Sequence, residues 1–85
     1  MTIEGQIKDF ISRNLLFNDK GFPYSEQDSF LDKGIVDSLG IMELVAFVEE
    51  NFNLSVENSE ITPANFDSVA RLTEFVQRKK MEVPD

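Results

Sequence analysis

The residues best suited to chemistry lie in Gly34-Ile35-Val36-Asp37-Ser38-Leu39. Here a serine hydroxyl falls where a loop meets the start of a helix. Free backbone N–H groups and the positive end of the helix dipole both favour an anion at such a place. A phosphodiester on Ser38 would therefore sit in a favourable field. Asp37 sets a carboxylate beside the hydroxyl, and Gly34 lets the loop turn close to the helix end. The same Asp-Ser pair also serves as a plain helix cap.

What the chain lacks narrows the alternatives. It has no cysteine and no histidine. Disulfides, thiolate metal sites, Ser-His and Cys-His nucleophile pairs and the commonest zinc ligands are thereby removed. The stretch from Asp28 to Gly34 has two acids and a glycine, but an EF-hand frame puts Phe30, Lys33 and Leu39 where an oxygen ligand, a glycine and a glutamate are needed. No metal is expected. No general base stands beside a credible nucleophile, so the chain is not expected to be an enzyme.

The formal charge is −8, from 16 acidic and 8 basic residues. Between Lys33 and Arg71 there is no basic residue, while that interval holds Asp37, Glu43, Glu49, Glu50, Glu57, Glu60 and Asp67. Such a surface repels nucleic acid and anionic membranes and attracts basic proteins. Met1 to Gln6 carries neither a basic n-region nor a long apolar run, and no stretch approaches the length of a membrane span. A cytoplasmic monomer with no membrane insertion is expected. Its 85 residues suit one domain with a modest core and marginal stability.

The elements that position Ser38 follow from apolar spacing and caps. Ile3, Ile7, Phe10, Ile11 and Leu15 keep helical spacing, and Thr2 can cap them. This predicts a first helix over about 2–17. Asn18-Asp19-Lys20-Gly21 and Phe22-Pro23 break the pattern. A loop over 18–37 follows, with Phe22, Phe30, Leu31 and Ile35 available to pin it and a short helical turn expected at Phe30-Leu31. A second helix is predicted over 38–52, with Ile41, Leu44, Val45, Val48 and Phe52 on its core face. Thr62-Pro63 opens a short third helix over 62–67, with threonine as the cap. Asp67-Ser68 caps a fourth helix over 68–80, whose stripe is Val69, Leu72, Phe75 and Val76. The fold class is all-α: a small bundle of three main helices plus one short helix, with a long first loop.

The run from Phe30 to Phe52, centred on Asp37-Ser38-Leu39, resembles the phosphopantetheine-binding acyl carrier proteins. The likeness continues through Ile61-Thr62-Pro63 and Asn65-Phe66-Asp67-Ser68-Val69 and covers nearly the whole chain. It implies an acyl-carrier-protein-like fold in which Ser38 accepts 4′-phosphopantetheine from coenzyme A and Asp37 is the neighbouring acid used in transfer. The attached arm would then hold acyl or aminoacyl cargo as a thioester, supplying the thiol this sequence lacks. Implied partners are a phosphopantetheinyl transferase, an acyl- or aminoacyl-loading ligase and acyl-processing enzymes with basic surfaces. Glu43, Glu49 and Glu50 match the acidic positions that such partners read.

Helix geometry bears on the partner face separately. Measured from Ser38 at about 100° per residue, Glu49 lies at about 20°, Met42 at about 40° and Ala46 at about 80°. Leu39, Glu50 and Glu43 follow at about 100°, 120° and 140°. One arc thus holds the modification site, three carboxylates and apolar Leu39, Met42 and Ala46. Charge steers an encounter there and the apolar spots seat it. Phe47, at about 180°, stands apart from both groups and is expected under the first loop.

The cargo is expected between the second and third helices, against Leu44, Val45, Val48, Ile61 and Phe66. Glu57, Glu60 and Asp67 are expected to loosen the short helix by mutual repulsion. Bulky Phe66 and Val48 are expected to narrow the gap, favouring a short or polar cargo. Gly40 stands where many fatty-acid carriers have an acidic residue, and Gly34 to Asp37 is one residue longer than their usual spacing. Fatty acid biosynthesis is therefore one setting, and a specialised D-alanyl, aminoacyl or peptidyl carrier is the other. A reading from a different class is an unmodified acidic helical adaptor protein.

Overall fold

The computed structural model describes residues 2–82 and is all-helical over them. Helix α1 spans Ile3–Phe10. Thr2 caps it, its hydroxyl accepting the Gly5 N–H at 2.9 Å, and Glu4 complements the positive end of the dipole. Ile7 and Ile11 turn inward and are fully buried.

The first helix does not run unbroken to its predicted end. From Ile11 to Leu15 it widens into a π-type turn. The Leu16 N–H reaches back to the Ile11 carbonyl at 2.9 Å and the Asn18 N–H to the Ser12 carbonyl at 2.7 Å. The buried Ser12 hydroxyl donates to the Asn18 carbonyl at 2.8 Å. These bonds reverse the chain at Phe17, which adopts a left-handed φ of 54°.

The loop up to Asp37 is held at several points. Phe30, Ile35 and Val36 are buried in the core, and hydrogen-bonded turns occupy 30–34. Asp67 clasps this loop from the far side. Its carboxylate accepts the Ser29 hydroxyl at 2.5 Å and the Leu31 N–H at 3.1 Å. Its carbonyl accepts the Phe30 N–H at 2.7 Å. Lys8 ties α1 to the loop through Glu26 at 3.3 Å.

Helix α2 spans Ser38–Phe52, with Asp37 as its N-cap and Asn53 ending it at a left-handed φ of 57°. A 3₁₀ turn at Asn58–Glu60 precedes helix α3, Pro63–Phe66. The Thr62 side chain makes no capping bond; instead its carbonyl accepts the Asn65 and Phe66 N–H groups. Helix α4 spans Val69–Glu82, starting at Ser68, whose hydroxyl accepts the Arg71 N–H at 3.1 Å. It packs against α1, α2 and α3, so the fully buried Val69, Leu72 and Val76 are shared by the whole bundle. Phe47 lies on α1 rather than under the loop: its ring stacks on Phe10 at 4.3 Å and meets the edge of Phe52.

The acids near α3 brace it rather than loosen it. Glu57 and Glu60 cap the 3₁₀ turn reciprocally, and Glu60 pairs with Lys79 of α4 at 3.1 Å. The Glu57 N–H holds the Glu60 carboxyl below its ordinary range, partial burial opposes this, and Lys79 and Arg78 add to the lowering. A carboxyl depressed by folding stabilises the fold above its unfolded pKa, about 4.3, and loses that effect as pH falls through its lower folded value. Glu60→Gln should therefore lower the melting temperature at pH 7, and its gap from wild type should close below about pH 4. Melting curves from pH 7 to 3 check this; a gap independent of pH would contradict it.

Candidate functional site: an exposed serine at a helix start

Ser38 is the first residue of α2 and is exposed. The capping carboxylate of Asp37 accepts the Gly40 N–H at 2.8 Å through Oδ1, and the Asp37 carbonyl accepts the Ile41 N–H. Asp37 thus fixes the turn that presents the hydroxyl. Among the described residues no acceptor meets the N–H of Ser38 or of Leu39, so two donors remain for an anion at the helix start. No group of acids suited to a metal occurs among the described residues.

Gly40 explains how tightly the approach to this serine is built. It is buried, and a Cβ at this position would stand 2.5 Å from Val36 Cγ1 and 3.4 Å from Asp37 Oδ1. Glycine lets the strand of loop before Ser38 lie directly on the first turn of α2.

An apolar cleft of about 320 Å³ opens beside Ser38. Leu31, Ile41, Met42, Ile61, Pro63 and Phe66 line it, with Thr62 and Asp67 as its other polar members. Ile61 and Phe66 thus stand where a cargo-lining role needs them. Leu44, Val45 and Val48 do not: they are buried in the core at 0 %, 7 % and 0 % exposure and do not line the cleft. They lie about 9–15 Å along the helix axis from Ser38, where the bundle covers them. Ile41, assigned to the core stripe by periodicity, is only half buried and lines the cleft instead. Leu31, placed as a loop pin, is 51 % exposed at the same cleft.

The arc around Ser38 is largely open. Leu39 and Met42 are exposed, as are Glu43, Ala46 and Glu50. Glu49 departs from the expected partner face: it is half buried, and its Oε2 accepts the Val56 N–H at 3.0 Å. That carboxylate braces the chain after α2, about 16 Å along the axis from Ser38.

Known proteins resemble the chain in sequence and in fold. A probable acyl carrier protein, PigG, of Serratia is 32% identical over 78 residues, covering 92% of this chain and 88% of its own. A D-alanyl carrier protein of Streptococcus uberis is 34% identical over 77 residues, covering 91% and 94%. The chain belongs to the acyl carrier protein family. A crystal structure of an acyl carrier protein from Thermotoga maritima superposes with a TM-score of 0.72 at 25% identity, covering 93% of this chain and 87% of that one. No protein-family model matches the chain. In this chain Ser38 and Met42, both on the open arc, also line the cleft, so the arc and the cleft adjoin at the start of α2. The positions of Ser38 and Asp37 at the helix start were legible from residue types, as was the exposure of every member of the arc but Glu49. Ile41, Leu31 and the Asp67 clasp were not, because each owes its place to a packing partner distant in sequence.

Proposed function

We propose that this chain is a non-catalytic carrier whose Ser38 receives 4′-phosphopantetheine from coenzyme A. The observation that carries this reading is the exposed Ser38 hydroxyl at the first turn of α2, with free backbone donors and an apolar cleft beside it. The arm, once attached, supplies the thiol that this cysteine-free chain lacks, for a thioester to an acyl or aminoacyl group. Asp37 holds the helix start through one carboxylate oxygen and, as the acid adjoining Ser38 in sequence, is assigned the role of assisting the transfer step. Leu39, Met42, Glu43, Ala46 and Glu50 offer mixed apolar and acidic contacts to basic partner enzymes, namely a transferase, a loading ligase and acyl-processing enzymes. The cleft favours cargo with an apolar portion. Among the described residues no helix is long and apolar enough to cross a membrane. The proposed carrier works in the cytoplasm.

A phosphopantetheinyl transferase with coenzyme A is expected to add one phosphopantetheine to the wild type and none to Ser38→Ala, whose helical circular dichroism should be unchanged. Modification of Ser38→Ala, or none of the wild type by several transferases, would contradict the assignment.

A further inference from the structure

The cleft beside Ser38 is built by three parts of the chain. Leu31 comes from the first loop, Ile41 and Met42 from α2, and Ile61, Pro63 and Phe66 from α3 and its approach. One residue ties the first of these walls to the third. Among the described residues, every hydrogen bond between the loop over 18–37 and residues 58–68 ends on Asp67.

The tie has two halves, which act on different residues. The Asp67 carbonyl accepts the N–H of Phe30, a fully buried residue, and so fastens the loop at the core. The Asp67 carboxylate accepts the Ser29 hydroxyl at 2.5 Å and the Leu31 N–H at 3.1 Å. Leu31 is half exposed, so packing does little to hold it. Its carbonyl bonds only to Gly34 of the same loop. The carboxylate is therefore what fixes Leu31 at the rim. Hydrogen bonds to an ionised acceptor are roughly twice as strong as neutral ones, which makes the clasp stiff. Asp67 is also the one charged residue among those lining the cleft. A carboxylate beside apolar surface is costly unless it is hydrogen-bonded, and the two bonds offset that cost.

We propose that Asp67 sets how long an acyl chain this carrier shelters, by holding Leu31 against the α3 side of the cleft. The proposal rests on the reading of the cleft as the seat of cargo carried on Ser38. With the clasp closed, the cleft keeps its volume of about 320 Å³ and covers a few methylenes, while the further carbons of a longer chain stay in water. Releasing the carboxylate lets Leu31 swing about the anchored Phe30, and the wider cleft covers more of the chain. Asp67 is thus a positioning residue that acts on cargo through Leu31.

The test loads wild type and variants from octanoyl- and dodecanoyl-coenzyme A with a phosphopantetheinyl transferase, checks each product by intact mass and compares melting temperatures. In the wild type the two acyl forms should melt within about 2 °C of each other, both above the bare-arm form. In Asp67→Ala the bare-arm form should melt lower, and the dodecanoyl form should exceed the octanoyl form by roughly 4–8 °C. Asp67→Asn keeps an oxygen for the Leu31 N–H and an amide for the Ser29 hydroxyl, and should restore the wild-type profile. Ser29→Ala removes one carboxylate bond and should open a smaller gap of the same sign, which decides the matter even where Asp67→Ala does not fold. Ser68→Ala loses the α4 cap bond outside the cleft; it should melt lower with the wild-type profile. A gap in the wild type as large as in Asp67→Ala overturns the proposal, as does no gap in Asp67→Ala or Ser29→Ala, a full gap in Ser68→Ala, or an Asp67→Asn that behaves as Asp67→Ala. Acylated wild type that melts with its bare-arm form overturns the cleft as the cargo seat, and the proposal with it. A wild type that accepts no arm overturns the reading of Ser38 itself.

Discussion

Gly40→Ala should melt roughly 4–16 °C below the wild type. Two effects oppose each other at this position. Alanine is favoured over glycine in a helix by about 1 kcal/mol. Against that, the added methyl would stand 2.5 Å from Val36 Cγ1, where carbon atoms rest at roughly 3.5–4.0 Å. Val36 is 3 % exposed and its branched side chain has little rotamer freedom, so it cannot swing aside. Overpacking of this kind costs about 1–3 kcal/mol; a contact this short against a side chain that cannot move belongs to the upper part of that range, about 2–3 kcal/mol, which leaves a net loss of about 1–2 kcal/mol after the propensity gain. Larger residues, including the acid found here in many fatty-acid carriers, should do worse. The diagnostic is the double variant. Val36→Ala removes the obstructing methyl, so Gly40→Ala should cost far less in that background. Equal losses in both backgrounds would show that the clash is not the cause.

An octanoyl group on the arm is expected to raise the melting temperature by roughly 4–16 °C over the bare-arm form. The narrow gap anticipated from Phe66 and Val48 does not exist in that form. Val48 is wholly in the core, and Phe66 is 2 % exposed and lines a cleft of about 320 Å³ beside Ser38. An acyl tail that folds back into it leaves water at about 0.8 kcal/mol per fully buried CH₂. The cleft is open, so only part of the tail is covered; two or three methylenes, less the cost of ordering the chain, give about 1–2 kcal/mol. Ile61→Asn places a polar side chain in the wall and should abolish most of the rise. An aminoacyl group such as alanyl has one methyl to bury and a charge that stays in water, so its curve should follow that of the bare arm. Coincident curves for the octanoyl and bare-arm forms would favour a cargo held in solvent.

Local signals made α2 readable from end to end. Its apolar stripe, Asp37 at the start and Asn53 at the end are all near neighbours in sequence, and they coincide with the observed Ser38–Phe52. The end of the first helix was less readable. Leu16 and Phe17 continue an apolar pattern, while the chain reverses because the Ser12 hydroxyl finds the Asn18 carbonyl. Asp67 read as a cap, yet its carboxylate clasps Ser29, 38 residues earlier. No periodicity encodes a pairing of that span. The cleft shows the same boundary from another side. A helical wheel gives the direction of Leu44, Val45 and Val48 but not their height above Ser38, and height decides that Ile41 and Met42 line the cleft instead. Glu49 sits in the right direction for the partner arc and is engaged by the Val56 N–H, a bond formed only once the chain folds back after α2.

The central claim concerns one oxygen atom, and the mass of the protein purified from its native host addresses it most directly. The account predicts a population heavier than the unmodified chain by one phosphopantetheine, with or without cargo, and fragmentation that localises the addition to Ser38. A chain that carries no arm under any growth condition, or an addition localised to another residue, would contradict it.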